Sequence, residues 1–295
     1  MAVQTLLLTP VDASRERSVP VKVYLPDTTV PAPVVLFSHG LGGSREGNAY
    51  LGEYWAKSGY IAIFLQHQGS DVEVWRDLQP DQRMAALKAA ASVRSFMERL
   101  EDVHFILDYL ELENAKPKGP LTGRLDLEKI GMSGHSFGAH TTQGLMGQRF
   151  LRFGKPRFKD DRIDCFIAMS PSSGRLPDQA AFGQITAPVL CMTGTDDSNP
   201  LKESMDPADR QRVYQGLATG DKYQLIFAHG QHSIFSDFER PGNPPRDPRF
   251  HPAIQEITTQ FWNAYLKDDA NAKTWLQSNA PNESVLIDDD VWEWK

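Results

Sequence analysis

Short apolar runs recur along the chain, and the stretches between them place apolar residues at a helical spacing. "PVVLFSHG" (33–40) and "YIAIFLQH" (60–67) are nearly all apolar. A strand apolar on both faces belongs to a sheet covered by helices on both sides. "KIGMSG" (129–134), "DCFIAMS" (164–170), "PVLCMTG" (188–194) and "YQLIFAHG" (223–230) continue the series, and "VPVKVYL" (19–25) alternates as a half-buried strand does. Helical patterns lie between them at 46–60, closed by Gly59, and at 251–269. The longest covers 82–111, with Asp81 at its start and a junction of two helices near Glu101. Loops are expected at 114–126, 171–187 and 239–249. Strand and helix in alternation predict an α/β fold with a mostly parallel sheet. There is no internal repeat, and the turn-rich 239–249 leads straight into a helix that must pack. One domain over residues 1–295 is the reading, with 75–126 a mainly helical segment walling the site described next.

In "KIGMSGHSFGAHTTQ" (129–143) an apolar strand runs into Gly134, then Ser136, then Gly138, and resumes as a helix. A strand that turns sharply into a helix strains the residue at the corner, and small neighbours relieve the crowding. The Gly-x-Ser-x-Gly spacing therefore lifts the Ser136 hydroxyl to the rim of the sheet and aims a helix N-terminus at the same place. A serine needs a base, and the base needs an acid to orient it. Two later strands deliver candidates in that chain order. "PVLCMTGTDDSNP" ends on Asp196 and Asp197, and "YQLIFAHGQHSIFSD" ends on His229 and His232. His232, beyond a Gly-Gln turn, has the reach for a base, and His229 is read as packing or bracing the loop. Asp197 is preferred to Asp196 as the acid, with both kept open. The two histidines could also be a metal pair, but no third ligand is evident.

An acyl-transfer site also needs donors for the oxyanion. One is the backbone N–H of Phe137, just after Ser136. The other is expected from "SHGLGGSRE" (38–46), where Gly40, Gly42 and Gly43 permit close backbone approach and Leu41 offers its N–H.

With these residues in view the chain resembles the α/β-hydrolases, and within them the platelet-activating factor acetylhydrolase and dienelactone-hydrolase-like branch. The matching stretches are "VVLFSHGLGGSRE", "YWAKSGYIAIFLQHQGSD", "EDVHFILDYLE", "IGMSGHSFGAHT", "DDRIDCFIAMSP", "PVLCMTGTDDS", "GQHSIFSD" and "FWNAYLKDDANAKTWL", in order over about residues 33 to 276. The resemblance implies a sheet of about eight strands, with Ser136 as nucleophile, His232 as base, an Asp at 196 or 197, and the amides of Leu41 and Phe137 as oxyanion donors. It implies a carboxylic ester hydrolase for short-chain acyl esters, with no metal or organic cofactor. Dienelactone hydrolases proper use a cysteine where this chain has Ser136, which argues against that substrate. "GTDDS" is one residue shorter than the family's loop, which favours Asp196 if Asp-x-Ser is the aligned feature. His67 and Asp71 in "LQHQGSD" also match. They are read as loop bracing or, with Gly40 and Trp75, as lining the substrate cleft. A thioesterase or amidase on the same three residues, or a silent hydrolase fold kept as a binding module, are the alternatives.

Composition narrows the partners. The net charge of the 295 residues is -7, which gives no electrostatic reason to bind nucleic acid or anionic lipid. No apolar run approaches a membrane span, and "LLL" (6–8) is too short for a signal-peptide core. Cys165 and Cys191 sit in apolar runs and read as reduced core thiols, in keeping with a cytoplasmic location unless a leader has been removed. The expected partner is a small-molecule ester, and nothing in the sequence speaks to oligomeric state. Trp292 and Trp294 are expected to dock the C-terminus.

Overall fold

In β5 (Ala32–Ser38), Val34 and Leu36 pack into one hydrophobic cluster while Val35 and Phe37 pack into another. That two-sided burial is the reason for the near-continuous apolar runs: side chains alternate along a strand, and both faces of this sheet are covered. The computed structural model describes residues 3–151, 158–199, 201, 206–238 and 246–295. Residues 239–245 of the expected 239–249 loop thus lie outside the described residues.

The remaining strands are β1 (Gln4–Leu8), β2 (Val11–Asp12), β3 (Arg17–Ser18), β4 (Val21–Leu25), β6 (Ile61–Leu65), β7 (Leu125–His135), β8 (Cys165–Met169), β9 (Val189–Asp196), β10 (Lys222–Gln231) and β11 (Val291–Trp294). Among the described residues, nine of them form one sheet in the order β1-β4-β6-β5-β7-β8-β9-β10-β11, and β2 pairs with β3 apart from it. The six strands from β6 to β10 run parallel, with β1 and β4 antiparallel at one edge and β11 antiparallel at the other. The sheet exceeds the expected eight strands because both edges extend it. "LLL" lies in β1, and the C-terminal tail adds β11. Trp292 is buried there and donates its Nε1–H to the Leu276 carbonyl, so it does dock the terminus. Trp294, by contrast, is 42% exposed.

The helices are α1 (Ala49–Lys57), α2 (Pro80–Ala90), α3 (Val93–Ala115), α4 (Phe137–Leu145), α5 (Asp178–Phe182), α6 (Arg212–Gly216), α7 (Phe250–Leu266), α8 (Ala270–Leu276) and α9 (Ala280–Ser284). Leu100, Val103, Ile106, Leu107 and Leu110 of α3 cover one face of the sheet. Leu51 and Trp55 of α1, with Ile254, Ile257, Phe261 and Trp262 of α7, cover the other. Each such buried side chain stabilises the fold by about 1.5–3 kcal/mol relative to exposure. The long helical stretch is two helices, but they part at Ala91–Ser92 and not near Glu101. The Ser92 hydroxyl accepts the Ser95 N–H at 3.1 Å and caps α3. The first of them begins one residue before Asp81, at Pro80, whose missing N–H costs nothing in a first turn.

The strand order creates the site. From β5 the chain passes through α1 to β6 on one side, then crosses by α2 and α3 to β7 on the other. At such a reversal the loops leaving the two adjacent strands diverge and open a crevice at their C-terminal ends. The loop after β5 is 38–46, and the turn after β7 holds Ser136.

Candidate active site

Ser136 sits at φ +57° and ψ -113°, a conformation that costs an L-residue strain of order 1–3 kcal/mol. Its N–H is tied to the Met169 carbonyl at 2.9 Å. The flanking glycines are required by close backbone approach. A Cβ on Gly134 would lie 2.4 Å from the Gly138 carbonyl oxygen, and one on Gly138 would lie 1.9 Å from that of Ser38.

The structure brings three of the expected residues into one hydrogen-bonded chain. His232 Nε2 lies 2.9 Å from Ser136 Oγ, and His232 Nδ1 lies 2.7 Å from Asp197 Oδ1. With a proton on Nδ1 for the carboxylate, Nε2 is the acceptor facing the hydroxyl. Asp197 follows β9 immediately and is fully buried. Burial by itself would raise its carboxyl. The hydrogen bond and charge of His232 and the charge of Arg210 outweigh that and hold it below the ordinary carboxylate range. Thr193 Oγ1 donates to its second oxygen at 2.9 Å. Asp196 points elsewhere: its side chain is 51% exposed, and its nearest ionic neighbour is His229 at 3.9 Å.

A break in strand pairing sets His232 in place. The β9–β10 register shifts between Phe227 and Gln231, and pairing resumes with Gln231 opposite Asp196, so the next residues on each strand face one another. His229 lies in the irregular stretch at φ +58° with its side chain 87% exposed. It does not pack as the sequence suggests, although its backbone N–H is held by Thr195 Oγ1 at 2.8 Å. His135 is buried and its Nε2–H donates to the His232 carbonyl at 3.0 Å, bracing the base from behind. Burial first, then the neighbouring His232, pushes the His135 imidazole down to about 3, so it stays neutral there.

The glycine loop lies against this turn. A Cβ on Gly40 would stand 3.5 Å from the Cβ of Ser136. Among the described residues neither the Leu41 nor the Phe137 N–H has a hydrogen-bond acceptor. Gly42 adopts φ +75°, and a Cβ there would meet Leu87 of α2 at 2.7 Å and Trp75 at 2.8 Å. Trp75 Nε1–H donates to the Gly42 carbonyl at 2.8 Å. Trp75 and α2 therefore pack on the outer side of the loop.

His67 is not at a surface. It is wholly buried, with Nε2 2.9 Å from Ser38 Oγ and Nδ1 3.0 Å from Asp102 Oδ2, so it braces and cannot line a cleft. Asp71 is likewise buried and accepts from Gln66 at 2.9 Å. Cys165 and Cys191 are buried, unbridged thiols, both raised by burial, Cys191 to about 12. Among the described residues no group of three or more His, Cys, Asp or Glu could hold a metal ion, and no helix is long and apolar enough to cross a membrane.

Two buried arginines at the site escape sequence motifs. Arg210 lies 3.2 Å from Asp197 Oδ1 and also donates to the Ser170 carbonyl and Ser172 Oγ. Arg99 binds the glycine loop from inside. It had a signal available: it shares the buried side of α3 with Phe96, Leu100 and Val103, where a helical period calls for an apolar residue.

No protein-family model matches the chain, and no curated protein does. Solved structures do match, 967 chains among them. A ferulic acid esterase from Streptomyces cinnamoneus superposes with a TM-score of 0.63 at 20% sequence identity, over 91% of each chain. The fold is that of the α/β-hydrolases. At this identity the likeness speaks to the hydrolase fold alone, and a fold shared by so many chains selects no substrate. What the site can do must be argued from its own residues.

Proposed function

We propose that the protein is a serine hydrolase of carboxylic esters that works through an acyl-enzyme. The observation that carries the reading is the unbroken chain from the Ser136 hydroxyl through His232 to the buried Asp197, at 2.9 and 2.7 Å. Ser136 Oγ adds to the ester carbonyl carbon while His232 Nε2 takes the hydroxyl proton. The carbonyl electron pair becomes an oxyanion, held by the N–H groups of Leu41 and Phe137. On collapse the bond to the alkoxy oxygen breaks and His232 returns its proton to the departing alcohol. Water repeats the addition on the acyl-enzyme, and the acid leaves as Ser136 regains its proton. Asp197, held ionised, keeps the imidazole in the tautomer this requires.

The finer reading, short-chain acyl esters handled by a member of the acetylhydrolase and dienelactone-hydrolase-like branch, rests on the sequence resemblance. In this reading Gly40, Trp75 and α2 wall the ester's approach to Ser136, and no metal or organic cofactor takes part. A fluorophosphonate probe tests the nucleophile. Intact protein should be labelled, and Ser136→Ala should not. A panel of p-nitrophenyl esters from acetate to octanoate, with methyl ferulate included because of the structural neighbour, orders the acyl preference, with acetate expected to lead. Protein that resists the probe and cleaves no member of the panel would be a silent binding fold, and the proposal would be lost.

A further inference from the structure

We propose that Arg99 is a positioning residue for this reaction, holding the Gly40–Leu41 peptide so that the Leu41 N–H faces the developing oxyanion. The inference rests on the hydrolase reading of Ser136 and extends it to a residue on the far side of the loop.

Arg99 is fully buried, its donors go to neutral oxygens, and Nη2 also lies 3.3 Å from His39 Nδ1. Nε donates to Ser70 Oγ at 2.8 Å. Nη1 donates to the His39 carbonyl at 2.6 Å and to Ser38 Oγ at 3.3 Å, and Nη2 to the carbonyls of Ser70 at 3.3 Å and Gly40 at 3.5 Å. Among the described residues no carboxylate pairs with it directly: Asp102 is bonded to Arg15, Arg17 and His67, and Asp71 accepts from Gln66 through Oδ2. A buried cation without a direct counter-ion is a poor stabiliser, and an apolar side chain on this stripe of α3 would serve packing better. Its contacts converge on two segments, 38–40 and Ser70, and the loop is tied to Ser70 again by the Gly42 N–H to the Ser70 carbonyl at 2.9 Å.

The peptide geometry says what this accomplishes. The Gly40 carbonyl receives His39 Nδ1–H at 2.6 Å, Gly43 N–H at 3.0 Å and Arg99 Nη2 at 3.5 Å. The proton on His39 is assigned by its other nitrogen, which accepts the His67 N–H at 3.1 Å. In a trans peptide the N–H points opposite to the C=O. Three donors pinning the Gly40 oxygen therefore turn the Leu41 N–H the other way, and that N–H is without an acceptor among the described residues. A full positive charge behind the peptide also polarises it, and does so strongly in a dry interior. The same guanidinium lies 4.5 Å from the ring centroid of Phe137, the residue that supplies the second donor. One side chain thus touches both halves of the proposed oxyanion site without touching substrate.

The test compares Arg99→Met, Arg99→Lys and Ser70→Ala with the parent in p-nitrophenyl acetate hydrolysis and in inhibition by an aliphatic trifluoromethyl ketone, whose serine adduct carries an oxyanion. Arg99→Met is expected to lower kcat about 10²-fold with KM within about threefold, and to weaken the ketone by the same factor. Arg99→Lys should recover part of both losses. Folded Arg99→Met with kcat within threefold of the parent, or with kcat lost and ketone affinity kept, overturns the inference while the Ser136 reading stands. Ser136→Ala retaining parental hydrolysis would remove the hydrolase reading instead. Should Arg99→Met fail to melt cooperatively, Ser70→Ala and Arg99→Lys decide. A parallel few-fold fall in kcat and ketone affinity supports the inference, and no change in either overturns it.

Discussion

Two Ser–His–Asp chains lie side by side in this molecule with the same connectivity. In one, Ser136, His232 and Asp197 are linked at 2.9 and 2.7 Å. In the other, Ser38, His67 and Asp102 are linked at 2.9 and 3.0 Å, again through Nε2 and Nδ1 in that order. Distances do not separate them; placement does. Ser136 stands at a positive φ beyond the end of β7, whereas Ser38 is the last residue of β5, paired with Leu65 and Gly134 on either side. The His232 side chain keeps 16% of its surface, and Ser38, His67 and Asp102 keep none. The acids differ too. Asp102 accepts two bonds from Arg17 and one from Arg15, and although burial would raise its carboxyl, these and His67 bring it down to about 2. In the closed chain burial is the largest influence and pushes His67 down to about 4 in spite of Asp102. On the proposed reading, what suits the open relay to nucleophilic work is the backbone, which lifts the hydroxyl to a rim beside amides without acceptors among the described residues. Enclosed, the same relay is a brace.

The largest effect expected from this contrast is at the two serines. Ser136→Ala should lower kcat for p-nitrophenyl acetate by about 10⁶-fold. Ser38→Ala, which removes only one contact of the Arg99 network, should cost no more than about tenfold. Peptide mapping after fluorophosphonate treatment should find the adduct on Ser136 alone, and an adduct on Ser38 would break the comparison. At the acids, Asp197→Asn should lower kcat by about 10⁴-fold through loss of the correct tautomer. Asp196→Asn should stay within about twofold, since its side chain is half exposed and away from His232. Equal losses at both positions would reassign the acid.

Asp102 probes the closed chain through stability. Its removal leaves Arg15, Arg17 and His67 facing an absent charge, and breaking a buried ion pair costs about 3–5 kcal/mol. Asp102→Ala is therefore expected to lower the unfolding free energy from urea titration by that amount at pH 7, with a lower midpoint. Its folded fraction should still be labelled at Ser136. A midpoint within the error of the parent would show that the brace carries no load.

The open chain was legible in the sequence and the closed one was not, and the reason is local structure. Ser136 announces itself because a strained corner demands glycines on both sides, and the acid and base each follow a strand whose apolar run marks where it ends. His67 stands in an equally recognisable stretch, but its partners come from β5 and α3, and no spacing rule links residues 38, 67 and 102. Arg99 shows the same blindness from another side: it interrupts an apolar helical stripe, yet the interruption gives no hint of what it touches. The edge strands β1 and β11 went unread because one is a short run with exposed alternate residues and the other a brief segment in a polar tail. Burial of their neighbours, which only tertiary structure supplies, makes them strands.

A pH dependence of stability separates the two histidines by physics and not by position. In the native protein His67 is neutral down to about pH 4, because burial outweighs Asp102, whereas in the unfolded chain it takes up a proton below about 6.5. The unfolded state thus binds more protons between these values, so stability is full above about pH 6.5 and falls as the pH drops toward 4. The loss attributable to His67 approaches about 3 kcal/mol at the bottom of that window. Asp102, whose folded carboxyl is depressed, adds its own loss lower, as pH falls from about 4 through 2. His67→Gln removes the first step and leaves of the second the part that the arginines carry. Urea unfolding of parent and variant between pH 8 and 4.5 should therefore show a stability gap that is widest at neutral pH and narrows steadily below 6.5. A gap that stays constant across the range would mean that His67 takes up its proton as readily in the folded protein as in the unfolded one, and the closed chain would then differ from the open one in exposure alone.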